Sequence, residues 1–207
     1  MSAELAGEPR RRDDLPLELR DERESLRVTG VWLFLVTDIL LFGSLFAGYA
    51  VLRTQVASGP TAASLFRLGP VMFETVALLT SSFTMGLAVQ AMRAGNRRAL
   101  VAWMAVTLVL GAVFVGSEAR DFALFAARGD TWGRSAFLSA FDILVGTHGA
   151  HVTAGIVWAL GILVRVGRRG LTPRTARKVY TFALYWHFLD IVWVFIFTVV
   201  YLLGKVG

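Results

Sequence analysis

The sequence predicts an all-α membrane protein, a bundle of five transmembrane helices. Of its 207 residues, 56% are hydrophobic and 17% charged, and the mean hydropathy is +0.61. A folded surface must meet water over much of its area, so a soluble domain of this length has nowhere to hide so much apolar surface. The apolar residues also gather in five long runs separated by short polar connectors. These runs lack the period-two alternation of a membrane barrel, which leaves helices as the spanning element.

The elements follow in order. Residues 1–27, MSAELAGEPRRRDDLPLELRDERESLR, hold six Arg and eight Asp or Glu without an apolar core. This is a charged cytoplasmic tail, either disordered or lying along the membrane surface, and it lacks the apolar stretch of a signal peptide. Residues 28–207 form the membrane domain, with spans at about 28–52, 68–92, 99–117, 135–164 and 179–204. Each is near or above the ~20 residues that carry a helix across ~30 Å of hydrocarbon. The connectors are TQVASGPTAASLFR, RAGNRR, EARDFALFAARGDTWGR and RVGRRGLTPRTARK, with Thr172-Pro173 marking a break in the last.

Charge sets the direction. The tail and the second and fourth connectors carry fifteen Lys or Arg, and the opposite side carries six. The positive-inside rule places the N-terminus in the cytoplasm and the C-terminus in the periplasm. The same placement explains the net charge of +6 through topology, with no nucleic-acid partner. There are no cysteines, which excludes disulfides, thiolate metal sites and cysteine nucleophiles. An odd number of spans without an internal repeat does not fit a simple inverted-repeat transporter.

Polar residues inside the spans carry the functional question, because a charge near the bilayer centre costs at least ~2.5 kcal/mol. Counted from the basic ends, Asp38 lies ~16 Å deep, His187 ~14 Å and Asp190 ~18 Å. His148 and His151 lie ~21 Å and ~26 Å from the outer side. Each of the pairs His148/His151 and His187/Asp190 has i,i+3 spacing and faces one side of its helix. Three roles are open to them: haem or metal ligation by imidazole with Asp190 orienting a ring, a proton relay, or hydrogen bonding between helices. Small residues favour the last. Gly146, Ala150 and Ala154, Gly43 and Ala47, and Ser44 and Gly48 are expected to let backbones approach closely.

Trp32, Trp132, Tyr180 and Tyr201 are expected at the interfaces, and Trp186 and Trp193 against neighbouring helices. Glu74 and Glu118 lie near the outer ends of their spans, and Glu74 is expected to reach headgroup water. Asp142, ~12 Å along the helix from Arg134, has no obvious partner.

Three stretches are familiar as a set. VWLFLVTDILLFGSLFAGYAVLR, VGTHGAHVTAGIVW and YWHFLDIVWVFIFTVVYLLG together resemble subunit III of the haem–copper oxidases, in the family's order, from about Val28 to Gly204. FETVALLTSSFTMGLA and RRGLTPRTARKVY are similar to the cytochrome bo-type ubiquinol oxidase branch, as are the five-span plan and Thr37-Asp38 in the first span. Asp142 departs from the pattern, which usually has an apolar or aromatic residue there.

The resemblance implies an accessory subunit without a redox centre, inside a proton-pumping ubiquinol:oxygen oxidoreductase of aerobic respiration. Haem and copper would reside in subunit I, and subunits I, II and IV would be the partners, in a bacterial cytoplasmic (inner) membrane. The chain would bind phospholipid and support assembly and sustained proton uptake. Carried over by motif, Asp38, Glu118, His148, His151, His187 and Asp190 become buried polar network and lipid-cleft residues, with no catalytic, cofactor or metal role. The alternatives are subunit III of a cytochrome c oxidase and, further off, a free-standing haem-binding membrane protein.

Overall fold

A computed structural model describes residues 25–56, 60–65, 68–131 and 133–206. Most of the charged tail, Arg67 and the interfacial Trp132 lie outside the described residues. The described chain is helical: α1 (Ser25–Leu52), the short α2 (Ala62–Leu65), α3 (Leu68–Arg93), α4 (Arg97–Ala127), α5 (Ala136–Arg169) and α6 (Pro173–Ile196). A π-helical turn, Phe197–Leu202, continues α6 into α7 (Leu203–Val206). Five helices are long and apolar enough to cross a membrane.

Local chemistry fixes the boundaries. Asn96 caps α4 by accepting the Ala99 N–H at 3.1 Å, directly after Gly95 turns the chain at φ 70°. Ser135 caps α5 by accepting from Leu138 N–H at 3.2 Å, and Gly170 ends it with φ 70°. Only a residue without Cβ adopts such a backbone at no cost. Thr172 caps α6 in a reciprocal box with Thr175, ahead of Pro173 in the first turn, where the missing N–H has no partner to lose.

The helices run longer than hydropathy suggests. α1 begins at Ser25, inside the stretch read as tail, and α6 begins at Pro173, not near residue 179. α4 continues ten residues past Ser117, because Phe122 and Phe125 in the apparent connector pack on Phe141 of α5, with ring centroids 6.1 and 6.2 Å apart. A polar-looking segment with aromatics at i,i+3 keeps an apolar face.

α3 and α4 form an antiparallel pair, α5 packs on α4, α6 and α1, and α6 reaches α3 across the bundle. Trp186 is the centre of the packing. Its indole N–H donates to Ser81 Oγ of α3 at 3.0 Å, and its ring fills the space left by Gly111 of α4 and Gly155 of α5. A Cβ on those glycines would stand 2.8 Å and 3.1 Å from the ring. Trp193 repeats the arrangement two turns further along α6, donating to Thr75 Oγ1 at 3.1 Å and meeting Phe114 edge-on at 4.6 Å. Thr84 and Thr107 join α3 to α4 at 2.8 Å.

The small-residue stripes singled out from sequence do not make these contacts. Nothing lies within 4 Å of a Cβ built on Gly146, Gly43 or Gly48, and Ala150, Ala154, Ala47 and Ser44 are exposed. The close approaches are made instead at Gly111, Gly149 and Gly155, each opposite a side chain that needs the room. Tyr201 is also not an interfacial anchor but is 6% exposed, since the π turn swings it inward beside Phe141.

Candidate functional site

The polar residues within the bundle form three separate sites. The first joins α1 to α5. Asp38, 5% exposed, places Oδ1 3.7 Å from Nε2 of His151, within ion-pair reach but too long for a hydrogen bond. The other ring nitrogen of His151 lies 2.8 Å from the Thr147 carbonyl, which can only accept, so Nδ1 carries the proton. Tyr185 of α6 donates its hydroxyl to the His151 carbonyl at 2.9 Å, tying a third helix to the same turn.

The second joins α3 to α6. His187 Nδ1 stands 2.6 Å from Ser82 Oγ, and Asp190 lies near the same hydroxyl. The i,i+3 spacing that put His187 and Asp190 on one face therefore brings both to a single serine.

The third lies toward the N-terminal end of α3 and the C-terminal half of α4, and sequence reasoning missed half of it. Glu74 is 2% exposed, so it does not extend to headgroup water; Ser117 of α4 lies beside it. Glu118 lies in the interior of α4 and reaches across to α5, where its Oε2 would be 2.6 Å from a Cβ on Gly149. Glu74 and Asp121 lie near it. One oxygen of each of Glu74 and Glu118 is buried without a hydrogen-bond partner. The signal was available: counted from Arg93 and Arg98, the two glutamates come out at ~29 Å and ~30 Å, at one height.

His148 belongs to none of the three. It is fully buried, and neither ring nitrogen has a hydrogen-bond partner. Trp193 stacks on it at 5.3 Å, Phe114 meets it edge-on at 5.7 Å and Phe42 at 6.4 Å. Asp142 is half-buried on α5. The three histidines thus do not converge: one sits in an aromatic box, one on Asp38 and Thr147, and one on Ser82. Among the described residues, no group of three or more His, Cys, Asp or Glu side chains is placed to hold a metal ion.

Five apolar helices fastened by buried hydroxyl, carboxyl and imidazole groups define a multi-pass membrane protein. The comparison with known families is specific. Residues 22–205 match the family model described as cytochrome c oxidase subunit III, and the chain belongs to that family. It is 48% identical over 192 residues to "Quinol oxidase subunit 3" of Bacillus spizizenii, covering 93% of this chain and 94% of the relative. It is also 48% identical over 177 residues to "Cytochrome bo(3) ubiquinol oxidase subunit 3" of Pseudomonas aeruginosa, covering 86% of this chain and 85% of that one. "Cytochrome c oxidase subunit 3" of Bacillus sp. PS3 is 46% identical over 178 residues, covering 86% of each.

Proposed function

We propose that this chain is subunit III of a proton-pumping terminal oxidase that takes electrons from ubiquinol and reduces oxygen to water. The observation that carries this is the 48% identity along 93% of the chain to a quinol oxidase subunit 3. In this reading the chain is an accessory subunit of the bacterial cytoplasmic membrane. Its N-terminus faces the cytoplasm, as the distribution of fifteen against six basic residues supports. Haem and copper reside in subunit I, and subunits I, II and IV and phospholipid are the partners. Asp38, His151, His187, Asp190 and Glu118 hold helices together by hydrogen bonds and ion pairing, and His148 does so by ring packing. That role supports assembly and sustained proton uptake.

A second reading, subunit III of a cytochrome c oxidase, is favoured by the 46% identity to the Bacillus sp. PS3 protein. Purifying the complex through a tag on this chain and measuring oxygen uptake with ubiquinol or reduced cytochrome c separates the two. Uptake with ubiquinol alone is expected. Uptake with cytochrome c alone would replace the first reading by the second, and no oxidase in the preparation would refute both.

A further inference from the structure

A cavity of about 380 Å³ opens at the end of the bundle where α1 stops. It shares no residue with the three polar sites. Three separate segments line it: the last turn of α1 with the residues just after it, the start of α2, and α7. Its walls are held in place by the fold. The Tyr49 side chain is 1% exposed and its ring rests beside Phe137 of α5 at 6.2 Å. The connector is fixed on both sides of Thr54: Arg53 N–H donates to the Tyr49 carbonyl at 2.8 Å, and Phe137 N–H to the Gln55 carbonyl at 3.3 Å. On the opposite wall, Leu65 N–H donates to the Thr61 carbonyl at 2.9 Å, and α2 packs on α7.

Charge and hydrogen-bonding groups select what such a cavity can hold. Tyr49 and Arg53 are spaced i,i+4 and share a face, and the Arg53 charge lies near the Tyr49 hydroxyl. Arg53 is the one charged residue among the described lining residues, and none of them is acidic. Its guanidinium only donates, and Tyr49, Thr54 and Thr61 bring hydroxyls to the same walls. A cationic fork with hydroxyls around it matches the oxygens of a phosphate group. The depth fits as well. Counted from Arg27, Tyr49 lies ~33 Å and Arg53 ~39 Å along the helix, at the far edge of a ~30 Å hydrocarbon layer and in the headgroup zone beyond it. Val56 and Leu203 add an apolar part to the lining.

We propose that this cavity binds a phosphate group, with Arg53 as its ionic partner and the Tyr49 and Thr54 hydroxyls as further donors. The group can come from two sources, the phosphodiester of a phospholipid headgroup or free inorganic phosphate. The apolar part of the lining favours the lipid, whose glycerol and first methylenes follow the phosphate. The site lies apart from Asp38, Glu118, His148, His151, His187 and Asp190, and its role is independent of theirs in holding helices together.

The complex purified through a tag on this chain is placed in nanodiscs with phosphatidylglycerol carrying a diazirine close to the glycerol on one acyl chain. A diacylglycerol with the same diazirine is the phosphate-free comparison. After irradiation, labelled residues of this chain are mapped by mass spectrometry. The phospholipid should label the residues around Arg53, Val56 and Leu203, and the diacylglycerol should not. Arg53→Ala should lower that labelling roughly tenfold or more, the loss expected of a hydrogen bond to a charged group, and Arg53→Lys should restore part of it. Tyr49→Phe, which keeps the ring beside Phe137, should lower it about threefold. Arg128→Gln removes an exposed charge at the same end of the bundle, outside the cavity, and should leave it unchanged. In a second arm, the delipidated complex is offered radiolabelled inorganic phosphate. Phosphate binding that Arg53→Ala abolishes, without phospholipid labelling, assigns the site to the free ion. Equal labelling by the two lipids, labelling indifferent to Arg53→Ala, or neither labelling nor Arg53-dependent phosphate binding overturns the proposal.

Discussion

Gly111→Ala is the sharpest test of how the bundle is packed. The new methyl carbon would lie 2.8 Å from Cη2 and 2.9 Å from Cζ2 of Trp186. Carbon atoms rest about 3.5–4.0 Å apart, so the indole would have to withdraw by roughly 0.7–1.2 Å. It has little freedom to do so. Its N–H is held by Ser81 at 3.0 Å, and its other edge lies against α5 at Gly155, where the space left is too small for even a Cβ. Overpacking of this kind costs about 1–3 kcal/mol. Replacing glycine by alanine within a helix also returns up to ~1 kcal/mol of backbone preference, which would mask part of the loss. Gly146→Ala supplies the correction, since nothing lies within 4 Å of its Cβ position and it carries the same backbone gain. The quantity to measure is therefore the difference between the two variants in reversible unfolding from mixed detergent micelles. Gly111→Ala should be the less stable by about 1–3 kcal/mol. Equal stability would refute the claim that Trp186 is locked between Gly111 and Gly155.

Three further outcomes follow from the polar groups. His148→Phe should leave stability unchanged or raise it, because both nitrogens are buried without partners and the surroundings are aromatic; a loss above ~2 kcal/mol in the same unfolding measurement would reveal a polar partner. Asp38→Asn should preserve the yield of assembled oxidase and Asp38→Leu should lower it, since only the amide keeps a polar group facing His151; equal, undiminished yields on native gels would contradict this. Thr172→Ala should cost ~1 kcal/mol by removing the cap of α6, and a Thr172→Ser variant should recover most of it in the same assay.

Much of the fold was legible because lipid leaves a chain few options. Five apolar runs had to be five helices, and the caps at Asn96, Ser135 and Thr172 stand where the polar connectors meet them. What escaped was whatever depends on the far side of a contact. Gly146 and Gly111 look alike in sequence, yet only Gly111 faces an indole. Glu74 looks like a glutamate at a helix end, but it is covered because α4 runs on past Glu118 beside it. The π turn that buries Tyr201 leaves no mark on hydropathy. For the polar residues, spacing placed His187 and Asp190 on one face correctly but could not name Ser82, the side chain that joins them. His148 and His151 share a spacing and both meet Phe42, yet only His151 has polar partners, because those surroundings are set by other helices.

The central claim is that this chain serves an oxidase without carrying electrons itself. The direct measurement is a reduced-minus-oxidised absorbance spectrum of the purified complex before and after this chain is dissociated and separated. The haem bands should stay entirely with the remaining subunits, and the released chain should show none. Haem absorbance that travels with the released chain would contradict the account and return the buried histidines to the position of ligands.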